Sequence, residues 1–177
     1  KCPPEFDLAL NMVDEVWTIS EFVCDSFKTR SPVPVISMPL AVSVPPLKRE
    51  YSKATFGLPP DDFLFLFIFD AASYLERKNP LATVRAFRAA FPAGNEPVGL
   101  VLKTMNVQGA DPHWQALVRE AAADARIRII STRLRRDEVL GLTSVCDAFV
   151  SLHRAEGFGI CLAESMLLGK PVIVTNY

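Results

Sequence analysis

Five short, nearly continuous apolar runs, at residues 63–69, 98–103, 127–130, 148–152 and 171–175, constrain the fold of this chain more than any other feature. A half-exposed strand alternates apolar and polar residues. A strand buried on both faces does not, so runs of this kind belong to a parallel sheet with helices covering each side. Helical patterns fill the intervals, at about 80–91, 112–125, 136–143 and 159–168. Strands alternating with helices imply crossover connections and an α/β fold, a Rossmann-like parallel sheet flanked by helices. Half of the 177 residues are hydrophobic, which is ample for such a core.

The region before residue 59 reads differently. Residues 5–13 have a helical pattern, Glu15 to Ile19 is a short strand rich in β-branched and aromatic residues, and Ser20 is placed to cap a helix over Glu21 to Phe27. Five prolines then fall between Ser31 and Pro46 around the extended run Val33 to Met38. Proline fixes φ and removes a donor, so an extended connector or edge strand is expected, followed by a helix over Lys48 to Phe56 that Gly57 ends. The expected division is a short N-terminal remnant over 1–30, a proline-rich connector over 31–58 and one α/β domain over 59–177. The sequence stops just after a strand, so the α/β domain is expected to be incomplete at its C-terminus.

Several functional classes lose support from composition. A formal charge of −1, from 19 basic and 20 acidic residues, gives no general attraction for nucleic acid. Cys2, Cys24, Cys146 and Cys161 are scattered, and His113 and His153 are the only histidines, so no metal-ligand cluster can be read and free thiols in a reducing compartment are expected. The N-terminus has no apolar core of signal-peptide type, and no apolar run approaches the ~20 residues that span a bilayer. A soluble cytoplasmic protein is the expectation. Ser151 does not lie in a Gly-x-Ser-x-Gly elbow, so no hydrolase nucleophile is indicated.

The chemistry concentrates between Ala148 and Val174. An apolar strand leads into His153-Arg154-Ala155-Glu156-Gly157-Phe158-Gly159, a helical stretch carrying Glu164 follows, and another apolar strand closes the unit. In open α/β sheets ligands bind beyond the carboxyl ends of the strands. Unpaired N–H groups and the helix dipole favour an anion at such a helix start. Gly157 and Gly159 permit a tight turn and close backbone approach, while Phe158 suits packing. Glu156 and Glu164 can accept charge-assisted hydrogen bonds from sugar hydroxyls, although two solvated glutamates would look the same in isolation. A diphosphate bearing sugars is a guest that fits these groups.

The run Glu156-Gly157-Phe158-Gly159 through Glu164, continued by Gly169-Lys170-Pro171-Val172-Ile173, resembles the Glu-x7-Glu signature of family 4 (group 1) retaining glycosyltransferases of GT-B architecture. Asp14 to Phe22 is similar to the segment closing the acceptor-side domain of that family, and Glu76-Arg77-Lys78-Asn79-Pro80 with Ala86-Phe87 is similar to its Lys-Asn-Pro segment. The resemblance implies a nucleotide-sugar donor as partner. Lys78 would hold the diphosphate, Glu156 would touch the transferred sugar, and Gly157, Phe158 and Gly159 would offer backbone donors. Glu164 would bind the ribose hydroxyls. The family often has an arginine six residues before the lysine; Ala72 stands there, so that part of the phosphate clamp is missing or supplied by Arg77 or Ser73. His153 could reach sugar or phosphate, or serve the structure alone. Lys103 and Thr104, at a strand end, are candidates for the same crevice, with solvation of Lys103 the alternative. Arg126, Arg128, Arg133, Arg135 and Arg136 form a basic cluster, read as a charge-balanced surface, with an anionic membrane or lipid-linked acceptor the sharper alternative. No cofactor and no essential metal are implied, and the acceptor, a glycan or a lipid-linked sugar, would engage the other domain. A non-catalytic nucleotide-sugar module and another GT-B enzyme, such as a sugar-nucleotide epimerase or a phosphorylase, are the rival readings.

Overall fold

The structure, a computed structural model, describes residues 4–176. Its contacts divide the chain into two units, one running to Val42 and taking in Glu156–Ile160, the other formed by Ser43–Ala155 and the residues from Cys161 onward.

In the first unit a 3-10 turn, Pro4–Phe6, leads into α1 (Asp7–Leu10), followed by β1 (Val16–Thr18), α2 (Glu21–Lys28) and β2 (Val35–Ser37). The helix expected over 5–13 stops at Leu10. The Asn11 amide donates back to the Asp7 carbonyl at 2.7 Å, a local bond that replaces continuation of the helix by a turn. Ser20 caps α2 as expected, its hydroxyl accepting from Val23 N–H. The proline-rich run contains a true strand: β2 pairs in parallel with β1, Val16 opposite Val35 and Thr18 opposite Ser37. Pro32, Pro34 and Pro39 flank the three paired residues, so no ladder donor is lost.

The second unit begins with less helix than the pattern suggested. Of the stretch 48–56, only Lys53–Phe56 forms a 3-10 turn. Ser52 and Thr55 exchange side-chain and backbone hydrogen bonds in a capping box that fixes the start at Lys53, and Gly57, at φ 64°, fixes the end. The α/β alternation follows: β3 (Phe63–Asp70), α3 (Leu75–Lys78), α4 (Pro80–Ala90), β4 (Val98–Met105), α5 (Pro112–Ala122), β5 (Ile127–Ile130), α6 (Arg136–Val145), β6 (Ala148–Ser151), α7 (Ile160–Leu167) and β7 (Val172–Val174). The strands form one sheet in the order β5-β4-β3-β6-β7, and every pairing is parallel.

Both faces of that sheet are buried at β3 and β4, whereas Ile173 and Val174 of the edge strand β7 are exposed, so the run at 171–175 is not a strand buried on both faces. Phe67 and Phe69 of β3 enter one core with Val84, Phe87, Leu100, Leu102 and Leu117, while Leu64 and Leu66 enter the other with Val101, Leu142, Cys146 and Phe149. The uninterrupted apolar run of β3 is thereby explained, since each face of a strand takes alternate residues and neither faces water. Truncating the fully buried Phe67 to alanine would cost about 3–5 kcal/mol.

Candidate active site

The strand order reverses direction between β3 and β6, the first strand of the sheet and its fourth. That position is the topological switch point at which open α/β sheets form their crevice. Pairing of β3 with β6 covers only Phe65 opposite Ala148 and Leu66 opposite Phe149, whereas β3 pairs with β4 out to Asp70. The carboxyl ends of β3 and β6 are therefore unpaired with each other. The segments leaving them are Ala71–Pro80 and Leu152–Ala155, and these carry several of the expected site residues.

These two segments are stitched together by three hydrogen bonds. Arg154 N–H donates to the Arg77 carbonyl at 2.8 Å, the Arg77 guanidinium donates to the Ala155 carbonyl at 2.9 Å, and the Asn79 side-chain amide donates to the Leu152 carbonyl at 3.0 Å. Asn79 ends α3 and begins α4 with one left-handed residue, φ 54° and ψ 40°. Asparagine tolerates that conformation, and Pro80 then occupies the first position of α4, where its missing N–H is not needed. Each letter of Lys-Asn-Pro thus has a local reason. Lys78 is 8% exposed at the last residue of α3. Arg77 also donates weakly to Ser73 Oγ, at 3.4 Å. The turn after β3 is shaped by Asp70, whose carboxylate accepts from Ala72 N–H at 2.9 Å and from the Asn106 amide. His153 lies edge-on to Phe67, with ring centroids 5.3 Å apart.

Glu164 occupies the second turn of α7 and is 4% exposed. Its carboxylate is held by Arg136, the first residue of α6: Nη1 donates to Oε2 at 2.8 Å and Nη2 donates to Oε1. Its hydrogen bonds to the Glu164 carboxylate raise the Arg136 guanidinium above its ordinary value. Arg136 was expected on a charge-balanced face and is indeed half-exposed, but its partner lies in the motif itself. Two further members of the cluster are also balanced by acids: Arg126 pairs with Asp124 and Glu96, and Arg135 with Asp137 and Glu138.

Lys103 and Thr104 sit at the end of β4, 2% and 1% exposed. The Lys103 ammonium donates to the carbonyls of Thr104 and Thr132, the latter at 3.0 Å, and the Thr104 hydroxyl donates to the Met105 carbonyl at 3.4 Å. Lys103 is therefore not solvated at its strand end. Burial lowers its ammonium below the ordinary lysine value, and its bond to Thr132 ties down the loop that follows β5.

Residues Glu156–Gly159 belong with the first unit. Gly159 has φ 82°, which only glycine adopts without strain, and a side chain at Gly157 would come within 3.0 Å of the Ile19 methyl. Glu156 and Phe158 are half-buried. Among the described residues no cluster of three or more His, Cys, Asp or Glu could hold a metal, and no helix is long and apolar enough to cross a membrane.

Two contributors escaped the sequence reading. Asn79 had a signal, an asparagine between a helix end and a helix-starting proline, whereas the partnership of Arg136 with Glu164 spans 28 residues and left none.

The family described as glycosyl transferases group 1 matches residues 72–177. Curated protein sequences give no match. Among solved structures, sucrose-phosphate synthase from Thermosynechococcus elongatus aligns with TM-score 0.71 at 22% identity, over 95% of this chain and 42% of that one. WaaG, a glycosyltransferase involved in lipopolysaccharide biosynthesis, aligns with TM-score 0.69 at 17% identity, over 89% and 43%. The pneumococcal O-GlcNAc transferase GtfA, in complex with UDP and GlcNAc, aligns with TM-score 0.64 at 14% identity, over 98% and 32%. Identities this low establish the fold alone, and the chain spans less than half the length of each of these structures. The parallel sheet flanked by helices is that of the C-terminal domain in GT-B glycosyltransferases.

Proposed function

Because the chain belongs to the glycosyl transferases of group 1, we propose that it supplies the donor side of an enzyme that moves a sugar from a nucleoside diphosphate to a glycan or lipid-linked acceptor with retention of configuration. The observation that carries this reading is the stitching of Arg77-Lys78-Asn79 to Leu152–Ala155 at the switch point of the sheet, with Lys78 almost buried between fixed elements. A cation held in that way suits a diphosphate, because its backbone and neighbours are fixed before the donor arrives.

In this mechanism heterolysis of the anomeric bond builds negative charge on the departing diphosphate. Lys78, with Arg77 beside it, stabilises that charge more in the transition state than in the ground state, so the interaction lowers the barrier rather than only tightening binding. The glycine turn 157–159 adds backbone N–H donors, and Glu156 orients the sugar. Glu164 receives the ribose hydroxyls. With cations of the chain serving the leaving group, the reaction proceeds without a metal, and chelator leaves it unchanged. UDP bound to the pneumococcal relative supports a nucleoside diphosphate as the leaving group.

The test is turnover of the intact protein with a nucleotide sugar and acceptor. Lys78→Ala and Glu156→Gln are each expected to lower kcat about 100-fold or more, the usual cost of removing one preorganised stabilising group, and NMR of the product should show the donor's anomeric configuration. An inverted product, or full activity in Lys78→Ala, overturns the reading.

A further inference from the structure

The ion pair of Arg136 with Glu164 has a geometry that bears on ligand selection. Both guanidinium Nη atoms donate, one to each carboxylate oxygen. A carboxylate offers about four lone-pair positions, two converging on the edge between its oxygens and two diverging from it. The parallel bonds of a guanidinium fork occupy the converging pair. A vicinal diol has its two O–H groups side by side, so it also can bond both oxygens only along that edge. Arg136 and a diol compete for one place.

Burial decides how the competition is resolved. The Glu164 side chain is 6% exposed with Arg136 in place, while the Arg136 side chain is 53% exposed at the start of α6 and has solvent into which to swing. A ligand that takes the edge between the two Glu164 oxygens must move Arg136. We propose that Arg136 is a displaceable latch on Glu164, a specificity-determining residue that yields both of its hydrogen bonds only to a ligand carrying a vicinal diol, such as the ribose of a nucleoside diphosphate. The inference rests on the reading that the nucleoside part of the donor lies against α7.

Calorimetric titration of the intact protein with UDP, GDP and ADP, and with their 2′-deoxy counterparts, tests it. In Arg136→Gln the competitor is gone, so whichever ribonucleotide binds the native protein should bind about twofold to fivefold tighter, the upper part of the span expected for a partly exposed ion pair. Its deoxy counterpart, unable to take both oxygens, should change less than twofold. Arg136→Lys keeps the charge without the fork and should show an intermediate gain; it carries the test alone if thermal melting shows Arg136→Gln to be unfolded. Weaker binding in the variants, or equal change for ribo and deoxy ligands, overturns the latch while leaving the donor site standing. If the native protein binds none of the three ribonucleotides, the donor-site reading fails and the latch with it.

Discussion

Asn79 joins the two segments of the candidate site in the second unit, and two substitutions separate its two contributions. Its amide donates to the Leu152 carbonyl at 3.0 Å, and its backbone is left-handed at φ 54°. The hydrogen bond contributes about 1 kcal/mol net, because Leu152 is half-buried and water can replace part of it. A residue with a Cβ that lacks asparagine's local bonding costs a further 1–2 kcal/mol or so in the left-handed region. Asn79→Gly removes the bond and keeps the backbone comfortable, so it should destabilise by about 1 kcal/mol. Asn79→Ala removes the bond and adds strain, for about 2–3 kcal/mol. For a chain of this size 1 kcal/mol corresponds to about 2–4 °C in Tm. Urea unfolding should place the midpoints in the order native, glycine variant, alanine variant, with unchanged slopes. An alanine variant as stable as the glycine variant refutes the strain, and a native-like glycine variant refutes the hydrogen bond.

Two further predictions concern stability and reactivity. The Asp124 carboxyl, hydrogen-bonded by Arg126, is held below its ordinary range, so the stability it adds is complete above its unfolded pKa of 3.8 and is lost as pH falls through the lower folded value; Asp124→Asn should flatten the decline of the urea midpoint below about pH 4, and an unchanged acid limb contradicts this. Burial, with Asp147 adjoining, pushes the Cys146 thiol up to about 12. At pH 8 its thiolate fraction is then on the order of 10⁻⁴, and iodoacetamide should leave Cys146 unmodified in the folded protein while labelling it in urea, as peptide mass spectrometry would record.

What the sequence made legible follows a physical division. The Phe-Leu-Phe-Leu-Phe-Ile-Phe run of β3 announced a strand buried on both faces, because the requirement is local and applies to every residue of it. Gly159 announced a turn for the same reason: a positive φ is a property of one residue. The helix expected over 48–56 failed because apolar spacing says nothing about where a capping box will start it, and Ser52 with Thr55 starts it late. Lys103 was open between crevice and solvent, since only the loop after β5 brings the Thr132 carbonyl to its ammonium. Arg136 looked like one more surface arginine until the fold brought the start of α6 within reach of Glu164 on α7. Pairings of that kind depend on the assembled fold, and no spacing within either helix encodes them.

The central claim is that this chain holds a nucleotide-sugar donor through Lys78 and Glu164. Calorimetric titration of the intact protein with UDP-, GDP- and ADP-sugars tests it most directly. Saturable one-to-one binding of at least one of them is expected, weakened about tenfold or more, at least ~1.4 kcal/mol, by Lys78→Ala and by Glu164→Gln. No binding of any of the three, or binding untouched by both substitutions, would contradict it.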